Sequence, residues 1–176
     1  MSCMPHYAEW VGFGDHSVTI PLDDTGEHAI QVRGSIDRID LVDDNRLVVV
    51  DYKSGTTGIS KTQMEQGKNF QMMVYLLALQ TILQQEQRPL SIAGGMFWHI
   101  RNQSTSGKMT FSDDVTVTQD ESIQQAQQHI TAYLHNMREG DFHVHPTDPK
   151  GNKCTSYCEF YQLCRLANTN QYKDTR

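Results

Sequence analysis

The sequence lacks any apolar run that approaches the roughly 20 residues needed to cross a bilayer. Its first residues, MSCMPHYAEW, form neither a basic nor an apolar leader segment. These absences predict a cytoplasmic protein with no membrane partner. Internal repeats and Gly/Ser-rich or Pro-rich linkers are also missing. The 176-residue chain is therefore predicted to form a single domain, residues 1–176, around one core.

Positive charge is scarce. Lys and Arg number 15 against 21 Asp and Glu, which gives a net charge of −6. Broad basic grooves gain affinity by neutralising many phosphates at once, so this balance excludes such a groove. Any contact with nucleic acid must be local. The hydrophobic fraction of 38% and the charged fraction of 20% also exclude an intrinsically disordered chain.

The hydrophobic pattern predicts strands first and helices later. Alternating residues at 17–21 and 28–36 predict one antiparallel hairpin, and IDRIDLV followed by LVVVDYK predicts a second. The unbroken apolar run of LVVVDYK indicates a central strand buried on both faces. Further elements are predicted as one helix from Thr62 to Leu83, strands at 92–101 and 109–117, and a last helix from Gln119 to Arg138 ended by Gly140. The order predicts an α/β (α+β) fold with a mixed central β-sheet flanked by helices.

The second hairpin carries acidic residues on both strands. If residues 43–45 form a three-residue turn, Val42 pairs with Arg46, and Asp37 then faces Asp51. Like charges directly opposed across strands destabilise the sheet unless something compensates them. Two carboxylates, a backbone carbonyl and waters suit Mg²⁺ or Mn²⁺. The register therefore predicts a cation site.

A lysine completes this strand end. Side chains alternate along a strand, so Lys53 points to the same face as Asp51. The alternative is that Asp37 with Arg38, and Asp51 with Lys53, are solvated ion pairs at a strand end, which are common and contribute little stability.

The first predicted helix and the strand after it carry further candidates. Gln71 and Tyr75 are spaced i, i+4 and so lie on one helix face. An unpartnered buried amide costs about 1–3 kcal/mol, which favours a partner for Gln71; the alternative is a glutamine that is capped locally or turned to solvent. Trp98 lies on a predicted strand, which favours core packing. The alternative is that Trp98 and His99 stack on a nucleic-acid base.

Three of the four cysteines cluster near the end of the chain. Cys154, Cys158 and Cys164 fall within the segment 150–166, whereas Cys3 stands alone. Clustering of this kind indicates metal ligation more than a disulfide framework. Three thiolates with His143 or His145 would form a tetrahedral zinc site.

The segments GSIDRID, VVDYKSG and QMMVYLLAL, in this order, resemble the motifs of the PD-(D/E)XK nuclease superfamily in its RecB-like branch, which includes AddB-type nuclease domains and Cas4-like exonucleases. The resemblance runs from Gly34 to Cys164. It implies a restriction-endonuclease-like fold and a metal-dependent DNA nuclease of recombination and repair, acting on single-stranded ends beside a helicase. The alternative is a noncatalytic DNA-binding or scaffold module that retains the fold.

The same resemblance assigns residue roles. Asp37, Asp51 and the backbone carbonyl of Tyr52 are expected to bind Mg²⁺ or Mn²⁺, and Lys53 to orient or activate the attacking water. Gln71 and Tyr75 belong to the helix motif beside the site.

The cysteine segment resembles the C-terminal part of an iron–sulfur staple that ties the chain ends together around a [4Fe–4S] cluster. In this interpretation Cys154, Cys158 and Cys164 are ligands and Cys3 is the candidate for the fourth. The family places a helix with a metal-ligating His before its first strand, and only His6, His16 and His28 precede Asp37 here. We therefore expect either a fragment that lacks this helix or a degenerate copy.

Overall fold

The structure is a computed structural model, and it describes residues 17–23, 25–26, 28–112 and 115–141. Its elements are, in order, β1 (Val18–Pro21), β2 (Ala29–Val32), β3 (Arg38–Asp43), β4 (Arg46–Lys53), α1 (Lys61–Glu65), α2 (Gln71–Gln85), β5 (Ser91–His99), β6 (Ser104–Thr110), a 3₁₀ turn (Val117–Gln119) and α3 (Glu121–Arg138). Among these residues, no helix is long and apolar enough to span a membrane.

The strands form an antiparallel pair, β1–β2, and a four-stranded sheet in the order β3-β4-β5-β6. In the larger sheet β4 is parallel to β5, and the two outer pairings are antiparallel. The predicted first hairpin, the interior position of β4 and the mixed sheet are confirmed. Because β4 lies between two strands and under α2, its apolar run is buried along most of its length.

The turn of the second hairpin differs from its prediction. Asp43, not Val42, pairs with Arg46, and the strand is irregular between Leu41 and Asp43. The predicted three-residue turn at 43–45 is therefore wrong. The irregularity takes up the extra residue, as β-bulges do, so the pairs from Arg38↔Val50 to Leu41↔Leu47 keep the predicted register.

The single helix predicted from Thr62 to Leu83 is two helices, α1 and α2. Gly67 has a φ of +70°, and its N–H donates to the carbonyl of Met64 while the N–H of Lys68 donates to Gln63. This is the hydrogen-bond pattern of a Schellman motif, which ends a helix. A single glycine inside a helix-like segment is tolerated, which is why the sequence pattern alone joined the two helices.

Helix α2 is the central element of the core. Seven of its side chains are buried: Met72, Met73, Leu76, Leu77, Ala78, Leu79 and Leu83. It packs on β1, β4 and β5. A Cβ on Gly95 of β5 would lie 2.4 Å from the sulfur of Met72, so a larger residue here would force the Met72 side chain to move. The prediction of a deeply packed helix is confirmed for residues 71–83.

The later strands are partly shifted from the prediction. β5 matches the predicted 92–101 within two residues, whereas the strand predicted at 109–117 is β6, Ser104–Thr110. β6 is an edge strand with mostly polar, exposed residues, so its hydrophobic signal is weak. The predicted last helix is confirmed as α3, where the side chain of Asp120 accepts hydrogen bonds from the N–H groups of Ser122 and Ile123.

The described residues up to Leu134 belong to one compact unit, and residues 135–141 belong to a second. In the first unit, α3 contacts α1: the Ser122 hydroxyl donates to Glu65 Oε1 (2.9 Å), and His129 Nε2 lies 3.0 Å from the Glu65 carbonyl oxygen. The prediction of one domain over residues 1–176 stays a prediction. The cysteine segment 150–166 lies outside the described residues.

Candidate active site

The end of β4 brings a buried carboxylate and a lysine together. Asp51 is only 2% exposed, and Lys53 Nζ lies 2.8 Å from its Oδ2. Both side chains lie on the sheet face that α2 covers, as the alternation of a strand requires. A carboxylate buried this deeply needs a charge partner or a metal, because isolated buried charge is very costly.

The side-chain amide of Gln71 connects the acidic and basic groups. Its Nε2 donates to Asp51 Oδ1 (2.9 Å) and to the Tyr75 hydroxyl (2.9 Å), and its Oε1 accepts from Lys53 Nζ. Gln71 is the first residue of α2, and its own N–H donates to Asn69 Oδ1 (3.1 Å). The break between α1 and α2 thus places this amide over the end of β4.

Asp37 lies at the same strand end. It is exposed, and its Oδ2 accepts a hydrogen bond from the N–H of Tyr52 (2.8 Å). The N–H and C=O of a strand residue point to the same strand edge, so the Tyr52 carbonyl points toward the edge at which Asp37 lies. The register of β3 with β4, extended by one residue, places Asp37 opposite Asp51.

This donor set fits a divalent cation that prefers oxygen ligands. Asp51 Oδ2 is buried and accepts no hydrogen bond within the described part of the chain, because Lys53 contacts it as an ion pair without hydrogen-bond geometry. Two carboxylates and one carbonyl, completed by water, are typical ligands of Mg²⁺ or Mn²⁺. No group of three or more His, Cys, Asp or Glu side chains that could hold a metal occurs among the described residues. A cation at this site would therefore need the Tyr52 carbonyl and water as further ligands.

Two supporting features of the site were not predicted. Phe97 of β5 is fully buried, and its ring centre lies 5.1 Å from Lys53 Nζ, which is within cation–π distance. His99, only 1% exposed, is bonded at both ring nitrogens: Nδ1 lies 2.7 Å from the Gly55 carbonyl oxygen and Nε2 2.7 Å from Ser106 Oγ.

The His99 contacts fix the loop after Lys53. The Gly55 carbonyl can only accept, so Nδ1 carries a proton, and the Ser106 hydroxyl donates to Nε2 when the ring is neutral. Ser106 Oγ also accepts from the N–H of Ile59 (3.0 Å). Loop 54–60 is thereby attached to the sheet at two points. The sequence signal that could have indicated this role is the position of His99, a polar residue two places after Phe97 on the same strand and therefore on the same buried face.

The other sheet face at this strand end carries exposed aromatic rings. Trp98 is 37% exposed and Tyr52 38% exposed, so the predicted core packing of Trp98 is wrong. Phe97 and His99 take the inward positions of β5, and alternation turns Trp98 outward. Arg38 Nη1 donates to the Tyr52 hydroxyl (3.1 Å), and Arg38 Nε donates to Asp40 (2.6 Å). These two hydrogen bonds, the one to Asp40 most, raise the pKa of Arg38 above its ordinary value.

The structure thus brings Asp37, Asp51, Lys53, Gln71, Tyr75 and the backbone of Tyr52 together at one strand end. Their roles stay a prediction. The candidate cluster ligands lie outside the described residues: Cys3, Cys154, Cys158, Cys164, His143 and His145. Of the histidines before Asp37, His6 and His16 also lie outside them, and His28 pairs with Asp23 in the first hairpin.

Comparison with known proteins gives a consistent family. A sequence model described as the PD-(D/E)XK nuclease superfamily matches residues 3–165. The chain is 36% identical over 76 residues to an ATP-dependent helicase/deoxyribonuclease subunit of Streptococcus uberis, a match that covers 43% of this chain and 7% of that protein. The proteins of the same name from Oceanobacillus iheyensis and Clostridioides difficile are 34% and 31% identical over 58% and 66% of this chain, and each match covers 10% of the relative. The chain therefore corresponds to a small part of these relatives.

Proposed function

The chain belongs to the PD-(D/E)XK nuclease superfamily, and on this premise we propose that it hydrolyses phosphodiester bonds of DNA in a reaction that depends on Mg²⁺ or Mn²⁺. One observation supports this most: a single amide, that of Gln71, bonds both Asp51 and Lys53, while the buried Asp51 Oδ2 has the Lys53 ammonium 2.8 Å away as an ion-pair partner and accepts no hydrogen bond from the described residues. A metal ligand needs such an available oxygen.

Each residue has a distinct task in the proposed reaction. Asp37, Asp51 and the Tyr52 carbonyl would hold the cation. When bound, the cation would supply Lewis-acid stabilisation of the phosphate and lower the pKa of water. Lys53 would donate hydrogen bonds to the attacking water or to the phosphate oxygens, where negative charge develops. Gln71 keeps the ammonium and the carboxylate in fixed positions, which limits the reorganisation needed during reaction.

The substrate is proposed to be single-stranded DNA ends, and the partner a helicase. The relatives' names join a helicase with a deoxyribonuclease, which supports a role in recombination or repair. The net charge of −6 favours a locally held strand over a long duplex, because a duplex would need an extended basic surface.

The test is cleavage of end-labelled single-stranded DNA with Mg²⁺ or Mn²⁺. Asp51→Ala and Lys53→Ala are expected to lower the rate about 100-fold or more, because each removes stabilisation of the transition state. The matched controls are Asp23→Asn and Lys61→Ala, which alter exposed or half-buried charges in other elements and are expected to keep full activity. Equal rates in all five proteins would reject the assignment.

The same samples distinguish a second function. The exposed rings of Tyr52 and Trp98 favour a chain that at least binds nucleic acid. A noncatalytic binding or scaffold module would bind the labelled strand in EDTA and would not cleave it with either metal.

For the cysteines, we propose a [4Fe–4S] cluster held by Cys154, Cys158 and Cys164, with Cys3 as the fourth ligand. Protein purified without oxygen should be brown and contain iron and acid-labile sulfide. A colourless protein with stoichiometric zinc would instead support a zinc site that uses His143 or His145.

A further inference from the structure

We infer that Tyr52 and Trp98 form a stacking platform for the bases of single-stranded DNA next to the active site. This inference rests on the proposed function and adds the surface by which the substrate is held. We call the two rings the aromatic pair.

The two residues of the aromatic pair occupy neighbouring backbone positions on one face of the sheet. Tyr52 and Trp98 are register partners in the parallel strands β4 and β5, which lie about 4.8 Å apart in a sheet. Register partners project to the same face, and here it is the face opposite α2. The rings are 38% and 37% exposed, whereas the neighbouring Phe97 is fully buried.

The platform is confined to the strand ends. Two residues before Tyr52 on the same face, Val50 is buried. The face is therefore covered along the middle of β4 and accessible at the end that carries Asp51 and Lys53. The backbone N–H of Tyr52 bonds Asp37, so one residue contributes its backbone to the active site and its ring to the aromatic pair. A strand whose phosphate lies at the carboxylates would reach these rings by passing around the end of β4, from the face that α2 covers to the opposite face.

Charge at the platform suits a nucleic-acid strand. The guanidinium of Arg38 donates to the Tyr52 hydroxyl and stays charged at all working pH values. It places a cation beside the Tyr52 ring, and rings that stack on bases together with cations that neutralise the backbone are the combination that binds single strands. In a duplex the base faces are already stacked on each other, so the aromatic pair selects for unpaired DNA.

The test uses the fluorescence of Trp98 in the full chain. Trp10→Phe leaves Trp98 as the only tryptophan. Oligothymidine is added in EDTA, so that no metal-dependent cleavage occurs, and Trp98 emission is followed together with the anisotropy of a labelled oligonucleotide. We expect the oligonucleotide to quench the emission, and a duplex of equal length to quench it far less.

Variants then measure the contribution of stacking. Trp98→Leu should weaken the Kd for oligothymidine about 5- to 150-fold, the range for loss of one base–aromatic stack. Trp98→Phe, which keeps a ring, should retain most of the affinity. Tyr133→Ala removes another exposed aromatic side chain, on α3, and should bind as the parent does. Thermal unfolding shows whether each variant is folded.

The inference would be overturned if oligothymidine bound without changing Trp98 emission, as when a protein or another segment of this chain occupies the rings, or if it did not bind at all. Equal quenching by duplex would overturn it too. Binding is measured in EDTA and so does not depend on cleavage. If oligothymidine quenches Trp98 emission but neither metal supports cleavage, the proposed nuclease function is contradicted and this inference is not. If the protein cleaves DNA but Trp98→Leu binds oligothymidine as tightly as the parent does, this inference is contradicted and the proposed nuclease function is not.

Discussion

At the scale of single residues, the amide of Gln71 determines the geometry of the candidate site. It uses both of its polar atoms within the site, toward an acid, a base and a phenol. Gln71 is half-buried, and both amide hydrogens and the amide oxygen have partners, so its removal leaves Oδ1 of the buried Asp51 without this donor.

We predict that Gln71→Ala destabilises the protein by about 1–3 kcal/mol, the cost of an unsatisfied buried group. The measurement is urea unfolding in EDTA, which keeps metal binding out of the comparison. Gln84→Ala is the matched control, because Gln84 is an exposed residue of the same helix, and its effect should stay within about 0.5 kcal/mol. Equal effects of the two substitutions would contradict the role of the amide.

A second residue-scale prediction concerns pH and the first hairpin. Hydrogen bonds, first of all from His28, lower the pKa of Asp23 from 3.8 to about 2. Since this folded-state pKa is lower than the ordinary value, the contribution to stability is fully present above about pH 4. It is lost as pH falls through 2.

An NMR titration of the Asp23 carboxyl group checks this value. The midpoint should lie near pH 2 in the parent protein and move back toward the ordinary value in His28→Ala. A parent midpoint close to 4 would contradict it. The group is exposed, so the effect on global stability is small.

At the scale of elements, the strands and helices that could be predicted are those with a strong hydrophobic pattern. The apolar run of β4 and the packed face of α2 are examples. The edge strand β6 has little such pattern, and its position depends on pairing with β5. The break between α1 and α2 depends on one glycine conformation, which periodicity does not report.

The candidate site follows the same division. Alternation along β4 and the i, i+4 spacing on α2 were sufficient to propose Asp51 with Lys53, and Gln71 with Tyr75. The outward position of Trp98 and the inward position of His99 follow from the parallel register of β5 with β4. Such a register between strands distant in sequence is a tertiary property, so the sequence pattern could not give it.

We predict that Gly67→Ala destabilises the protein by about 1 kcal/mol or more beyond Gly140→Ala. Both glycines have positive φ, +70° and +71°, so both substitutions share the backbone strain. A Cβ on Gly67 would lie 2.9 Å from Cγ of His129, whereas one on Gly140 meets nothing within 4 Å. Only the first therefore forces α3 away from the turn, an overpacking cost of about 1–3 kcal/mol.

The measurement is chemical denaturation of both variants and the parent. When Gly67→Ala is made in a His129→Ala background, the excess loss of stability should disappear, because the ring that the new Cβ would contact has been removed. If the two single variants lose equal stability, backbone strain alone accounts for Gly67.

At the scale of the whole molecule, an acidic chain that is proposed to act on DNA must bind few phosphates. The net charge is −6, and within the described part of the chain the cations that contact residues of the site and the platform are Lys53 and Arg38, each already paired with a carboxylate. Binding should then depend more on stacking and on bound metal than on release of counterions. This distinguishes the chain from proteins with an extended basic groove.

The salt dependence of binding measures this difference directly. For single strands the slope of log K against log salt is about −0.7 for each phosphate neutralised, so two cations predict a slope of about −1.4. The slope is measured from the anisotropy of labelled oligothymidine between about 50 and 300 mM NaCl in EDTA. Arg38→Gln should make the slope shallower by about 0.7. Trp98→Leu should lower the affinity and leave the slope unchanged. A slope several times steeper would show that an extended basic surface binds the strand, and the aromatic pair would then be a minor contact.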